Sequence, residues 1–439
     1  MSPSTDPEVL LPREVPLGGP RAMLVRRTLP HRDRVLIGAW CFVDHYGPDD
    51  VSATGGMDVA PHPHTGLQTV TWLFEGEVEH RDAQGVHALV RSRELNLMRA
   101  GHGTSHSEVS TPDTTILHGA QLWLVSPEAT RDMARDFEHH VPEVTPLDGG
   151  EAAVFIGTLA SVTSPVQVDT PLVGAEVIVE AGASVTLALD ATFEHGVLVD
   201  RGPVTVDAGR SAPVAAESGS LVHLEPGRTG LTLAAGPDEA GRVLLIGGEP
   251  FDEEIVMWWN FIGRTHDEIE EFRAEWEAGA ERFGRVDGYE GTPQRLPAPA
   301  LPHVRLKPRG RLRRSRGRDI SGPQPGTKAM SVSGAGGDEV HLRRDVTTQH
   351  RGSVQGVGRA QRPRVARALL GEHPVGALDV ARREVQQGTL LQPGRGPRPG
   401  DGEAVLAHVV EQTQHVAGRE VGAQRPRGCL LYTSDAADE

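Results

Sequence analysis

Two short stretches of this sequence concentrate side chains able to hold a metal ion. The first runs Gly56-Met-Asp-Val-Ala-Pro-His62-Pro-His64 and leads into Gln68–Phe74. The second is Met98-Arg-Ala-Gly101-His-Gly103-Thr-Ser-His106-Ser-Glu108. In a β-strand, residues i and i+2 point to the same face. His62 with His64, and His106 with Glu108, can therefore each aim a pair of ligands into one interior. Strands of a small barrel can bring the two pairs together across the intervening chain. Three imidazoles and one carboxylate suit a borderline divalent metal: Fe(II), Mn, Co, Ni, Cu or Zn. Four protein ligands on an octahedral ion leave two places for water, dioxygen or a chelating substrate. An H-x-H pair alone is usually two packed or surface histidines, and H-x-E alone is a weaker signal. The specificity lies in the two together.

The scaffold that must position these pairs reads as mainly β over residues 1–300. Segments rich in Val, Leu, Ile and Thr recur between Gly, Pro and Asp, the pattern of a sandwich or barrel. Gln68–Phe74, Glu77–Arg81, Ala153–Leu159, Gly174–Val179, Ser184–Leu189, Gly196–Val199, Leu221–Leu224 and Gly230–Ala234 are the clearest strands. A break at Thr145–Gly150 divides the region into two units of similar character, 1–145 and 151–310. Thr265-His-Asp-Glu268 is a capping box, and Ile269, Phe272, Trp276 and Phe283 follow at helical spacing, which predicts one helix packed on the β units. Pro297–Pro308 reads as an extended closing tail. The second unit contains Glu194-His195 and His223 but neither H-x-H nor H-x-E, so it is expected to be metal-free scaffold. His195 is read as structural, His45 as a turn or surface residue, and His31, His80 and His87 as solvated. Cys41, between Trp40 and Phe42, is read as a small core residue, and Trp72, Trp123, Trp258 and Trp259 as core or inter-domain packing.

The chain of 439 residues carries 44 Lys+Arg against 60 Asp+Glu, a net charge of −16. The average hides a break. Residues 311–439 hold 20 Lys+Arg and 14 Asp+Glu, which leaves a net −22 on residues 1–310. Of the 18 aromatic residues, the last 129 positions contain only Tyr432. A stretch so poor in aromatics and rich in Gly, Pro and Arg is a poor core-builder. Lys occurs only at Lys307 and Lys328, which fits a G+C-rich source. Out-of-frame reading of such DNA yields Arg, Gly, Pro and Ala, so 311–439 is read as a low-order tail of frame-shifted or chimeric origin, with genuine disorder the alternative. The acidic body argues against nucleic-acid binding, which needs a basic face. No apolar run approaches the roughly 18 residues of a membrane span. The two cysteines, Cys41 and Cys429, are too few and too far apart for a disulfide framework. The start, MSPSTDPEVLLPRE, has no charged segment followed by an apolar one, so the expected location is cytoplasmic.

The order G-x5-H-x-H, then G, then G-x-G-x-x-H-x-E resembles the pirin family of the cupin superfamily. His62-Pro-His64-Thr-Gly-Leu-Gln-Thr-Val-Thr-Trp-Leu-Phe-Glu-Gly76 is similar to its first motif and Ala100-Gly-His-Gly-Thr-Ser-His106-Ser-Glu108 to its second. Leu244–Phe251 and Ile255–Phe261 are similar to its closing region. The resemblance spans about residues 20–308. It implies an all-β bicupin, two barrels with one metal site in the first, and a short C-terminal helix. It places the metal on His62, His64, His106 and Glu108 and puts Fe(II) first among the metals. Some bacterial members resemble quercetin 2,3-dioxygenases and the eukaryotic ones resemble iron-dependent transcriptional co-regulators. Three departures bear on substrate preference: Gln68 stands where Glu is common, Arg91-Ser-Arg-Glu94 replaces a Pro-Gly turn, and His102 stands where Arg is frequent.

Two functions from different classes are therefore expected. The first is a metal-dependent dioxygenase acting on flavonols such as quercetin or on related enolic phenols. There Glu108 would take the substrate hydroxyl proton. The second is an iron-binding regulator that engages a protein partner according to its metal state. A metal-free bicupin binding a sugar or an acid is a third, weaker reading.

Overall fold

The computed structural model describes residues 6–17, 23–209 and 212–311; beyond Arg311 the tail lies outside the described residues. The described chain is strands with a single α-helix, arranged as two cupin-type barrels. The first short strand, β1 (Glu8–Leu10), joins the second barrel. The next eleven build the first: β2 (Arg13–Leu17), β3 (Met23–Leu29), β4 (Trp40–Asp50), β5 (Asp58–His64), β6 (Leu67–Glu75), β7 (Glu77–Asp82), β8 (His87–Arg91), β9 (Leu95–Arg99), β10 (Thr104–Ser110), β11 (Ile116–Val125) and β12 (Asp136–His140). A seven-stranded sheet, β12-β9-β6-β11-β4-β3-β2, faces a four-stranded sheet, β5-β10-β7-β8. The second barrel repeats this arrangement of seven and four. Its larger sheet takes β1, strands 221–224, 194–201, 241–248 and 172–179, then β14 (Gly150–Ile156) and β13 (Val144–Leu147).

Alternation explains why β7 forms. Val78, His80 and Asp82 are buried while Glu77, Glu79 and Arg81 are half-exposed, the period of a strand with one wet face. β6 is buried on both faces from Leu67 to Phe74. Its Thr69 and Thr71 look into the barrel, and Val70, Trp72 and Phe74 look toward the other barrel. Trp72 stacks on Phe155 with centroids 4.6 Å apart and donates Nε1–H to Glu176. The two large sheets thus share one apolar core, which includes Val70, Trp72, Leu97 and Leu122 from one barrel and Phe155, Leu198, Leu244 and Ile246 from the other.

The seam also carries buried charge. Asp200 accepts from His45 Nε2 at 2.7 Å and His118 Nε2 at 2.5 Å on one oxygen, and from Arg242 Nε at 2.6 Å on the other. His45 is a buried residue of β4, which corrects the surface reading of the sequence. Arg93 takes up a left-handed conformation (φ +61°) in the segment that replaces the Pro-Gly turn. A non-glycine residue there is strained. Its guanidinium reaches across the seam to Glu151 at 2.8 Å and Glu176 at 3.2 Å, which offsets that cost.

After the second barrel the chain returns to the first. A hairpin of Val256–Trp258 and Phe261–Gly263 leads into α1 (His266–Ala278), capped by the predicted box of Thr265 and Glu268. Its Ile269, Phe272 and Trp276 pack with Val59, Ala60 and Trp258. The helix stops at Gly279, left-handed at φ +69°, so Phe283 belongs to a following 3-10 turn and not to the helical stripe. It still joins the cluster, edge-on to Trp276 at 5.5 Å.

Candidate metal centre

β5 is an edge strand, the position where Pro61 and Pro63 cost least because the ladder does not need their missing N–H groups. Between and beyond them, His62 and His64 face inward. β10 pairs with β5 so that His106 lies opposite His62, and a bulge then sets Glu108 opposite Val59. Bulges of this kind re-aim side chains beside active sites. The turn before β10 depends on Gly101 (φ +55°), where a Cβ would lie 2.0 Å from the Met133 carbonyl oxygen.

The three imidazoles converge, with centroids 5.0 Å (His62–His64), 4.4 Å (His62–His106) and 4.9 Å (His64–His106) apart. All are buried. Their hydrogen-bond partners assign the ring protons. His62 Nδ1 faces the Ala60 carbonyl at 3.0 Å and His64 Nδ1 faces the Asn260 carbonyl at 3.2 Å. A carbonyl only accepts, so both Nδ1 atoms carry hydrogen and both Nε2 atoms present bare lone pairs. Asn260 is delivered by the two-residue turn of the 256–263 hairpin, whose Trp259 is held at φ +52°. His64 Nε2 lies 3.0 Å from His106 Nε2. Two nitrogens bound at right angles to one metal at about 2.0–2.1 Å would be about 3 Å apart. The donor set fits a divalent cation.

Burial holds all three histidines neutral, the form that ligates. His62 is lowered to about 4, and His64 and His106 lie well below the usual imidazole range, with neighbouring imidazoles adding to the effect. Burial raises Glu108, against the opposing pull of His80 and of hydrogen bonds from Thr71 and Gln121. Thr71 donates to Glu108 Oε1 at 3.1 Å. Glu108 groups with His106 and His80, while His62, His64 and His106 form their own set. His106 is common to both. The structure therefore brings the three predicted imidazoles together, while Glu108 groups with His106 and with His80 but not with His62 or His64. His80 is buried, not solvated, and its Asp82 neighbour is buried as well. The same i, i+2 rule that selected H-x-H and H-x-E would have selected His80-Arg81-Asp82. His87 is exposed and His31 half-exposed.

Aromatic side chains wall the site. Trp123 lies edge-on to His64 at 5.1 Å and stacks on Phe42 at 4.1 Å, and Arg27 sits over Phe42 while pairing with Asp44 through two contacts of 2.7 Å. In the second barrel Glu194, His223 and Glu225 also converge. There Arg34 and Arg311 already bring guanidinium groups to Glu194, at 3.4 and 3.0 Å.

The neutral histidines make stability depend on acid. His62 and His195 are both lowered to about 4, from an unfolded value near 6.5. The unfolded chain binds more protons between these limits, so stability is complete above about pH 6.5 and falls as pH drops toward 4. At pH 5 each contributes a loss of about 2 kcal/mol. Urea midpoints of the metal-free protein should fall accordingly from pH 7 to pH 5; a flat profile would contradict the burial described.

Fold and site together define a bicupin with a histidine cluster in its first barrel. Residues 22–124 match the family described as Pirin, and residues 174–284 match the Pirin C-terminal cupin domain. The chain is 42% identical over 292 residues to a Pseudomonas aeruginosa protein named "Putative quercetin 2,3-dioxygenase", covering 66% of this chain and 89% of that one. It is 34% identical to a Caulobacter vibrioides "Pirin-like protein", covering 61% and 93%. A crystal structure of quercetin 2,3-dioxygenase from Acinetobacter baumannii superposes with a TM-score of 0.63 at 40% identity, covering 68% of this chain and 97% of that one. This protein belongs to the pirin family.

Proposed function

We propose that the protein is a metal-dependent dioxygenase of the pirin type, oxidising flavonols such as quercetin or related enolic phenols with dioxygen. One observation carries the reading: three buried imidazoles converge with ring nitrogens close enough to share one ion, and His106 among them also groups with Glu108, a carboxylate that burial has made more basic. His62, His64, His106 and Glu108 would hold one divalent metal ion, with Fe(II) the first choice. When bound, such an ion supplies Lewis-acid and redox chemistry toward a chelating phenol and dioxygen. The names carried by the Pseudomonas and Acinetobacter relatives support this substrate class.

The chain's own residues supply the remainder. Glu108 accepts the phenolic proton, and Thr71 keeps its Oε1 oriented. The Trp123–Phe42 pair offers a flat apolar wall for an aromatic substrate and keeps water from the imidazoles. Among the described residues no helix is long and apolar enough to cross a membrane. A reducing, cytoplasmic setting fits both Fe(II) and the free, buried Cys41.

Full-length protein loaded with Fe(II) should consume oxygen when quercetin is added. Glu108→Gln should slow turnover roughly 10²–10⁴-fold, the range for removing a general base. Oxygen uptake absent with Fe(II), Mn, Co, Ni and Cu in turn, across a panel of phenols, would overturn the activity and favour metal-dependent partner binding.

A further inference from the structure

His80 and Asp82 project inward from β7 into the same interior as the candidate ligands, and nothing in the proposed reaction uses them. The register sets Asp82 opposite His106 and His80 opposite Glu108. His80 Nδ1 lies 3.3 Å from His106 Nδ1, and His80 Nε2 lies 3.6 Å from Asp82 Oδ2. Neither His80 Nε2 nor Asp82 Oδ2 has a hydrogen bond within normal reach, although both atoms are buried. The other carboxylate oxygen, Oδ1, is held by the backbone N–H groups of Gln84 and Val86 at 2.8 and 3.1 Å. Asp82 is thus fixed with its second oxygen turned to His80.

We propose that Asp82 and His80 are positioning residues that fix the ring proton of His106 on Nδ1, so that His106 Nε2 is presented bare to the metal. The proposal rests on the metal reading given above. The Asp82 carboxylate, 3.6 Å from His80 Nε2, favours hydrogen on that nitrogen by its charge, and this leaves His80 Nδ1 as an acceptor. His106 Nδ1 is the donor it meets. The opposite tautomer would set two lone pairs against each other at 3.3 Å.

The consequence appears on the far side of the ring. His64 is already bare at Nε2 because its Nδ1 donates to the Asn260 carbonyl. Without the His80 partner, His106 could move its proton to Nε2 and satisfy His64 with an N–H···N bond across their 3.0 Å separation. That bond would close the site and would have to break before a metal entered. With His80 in place the two lone pairs stay opposed, and a cation relieves them. Metal-ligating histidines commonly donate their second nitrogen to a fixed partner, and losing that partner costs about 10–100-fold in affinity.

The test uses the full chain with 15N-labelled histidine. Nitrogen NMR of the metal-free protein reads the His106 tautomer, and chelator competition with Zn2+ reads affinity. The wild type should show His106 protonated on Nδ1. His80→Ala should move that proton to Nε2 and weaken Zn2+ binding about 10–100-fold. His80→Asn, which keeps an acceptor near the Nδ1 position, should restore much of both. A His106 tautomer unchanged in His80→Ala, or Zn2+ affinity equal to wild type, would overturn the inference. So would loss of one coordinating nitrogen from Cu(II) spin-echo spectra of His80→Ala, which would make His80 itself a ligand. If the wild type shows the Nδ1–H tautomer and its shift in His80→Ala yet binds no metal, the tautomer assignment stands, and its role in metal binding falls with the metal reading.

Discussion

Replacing His64 with alanine should reduce divalent-metal affinity by well over the 10–100-fold expected for a partner one bond further from the ion. The metal-free variant should remain folded. His64 contributes one of the two Nε2 atoms that lie 3.0 Å apart, and its ring is aimed by the Asn260 carbonyl from a segment nearly two hundred residues later in the chain. The imidazole is buried and neutral, so its removal also deletes a group whose burial opposes folding in acid. A structural histidine would behave differently: its loss would lower stability and leave metal binding intact. Isothermal titration with Zn2+ beside urea denaturation of the metal-free form separates the two. Retained affinity in His64→Ala would remove this residue from the ligand set.

Asp200→Ala should destabilise the protein by about 3–5 kcal/mol, the cost of leaving buried charged and polar partners without their counter-ion. The carboxylate lies at the seam with both oxygens occupied, one by His45 and His118 and the other by Arg242. Its pKa is held far below the usual carboxylate range. The cause is the hydrogen bonds from His118 and His45, which outweigh the desolvation that pushes the other way. The contribution is therefore complete above about pH 4, the unfolded value, and is lost only in stronger acid. The three partners come from strands of both barrels, so the loss should appear as separation of a seam: a lower thermal midpoint by on the order of 10 °C. This cluster satisfies the composition of a two-histidine, one-carboxylate metal site. Its geometry is that of a hydrogen-bonded salt bridge, since both nitrogens lie within 2.7 Å of a single oxygen and Arg242 supplies the positive charge. Asp200→Ala should accordingly leave metal stoichiometry unchanged. Differential scanning calorimetry with metal analysis checks both halves; a variant as stable as the wild type would refute the seam argument.

The parts of this fold that are local in sequence could be read from it. The i, i+2 spacing of His62-Pro-His64 and His106-Ser-Glu108 placed each pair on one face, and the structure puts both pairs in the first barrel. Strand Leu221–Leu224 and the capping box at Thr265 also depend on neighbours alone. What depends on distant pairing was not legible. Nothing near Asp200 announces His45 or His118, and nothing near His64 announces Asn260. β1 looks like the start of the first barrel, yet it pairs with 221–224 of the second. His80 is a different case. The i, i+2 spacing sets Val78, His80 and Asp82 on one face, but only Val78 is apolar, so nothing local announces that the other two are buried.

The proposed oxygen chemistry requires one metal ion held by the first barrel. Full-length protein loaded with graded amounts of Fe(II) should be assayed for bound metal and for quercetin-dependent oxygen uptake on the same samples. Uptake should rise in proportion to bound metal, saturate near one ion per chain and vanish at zero. Uptake independent of metal content, or a fully loaded protein that consumes no oxygen, would contradict the proposed chemistry.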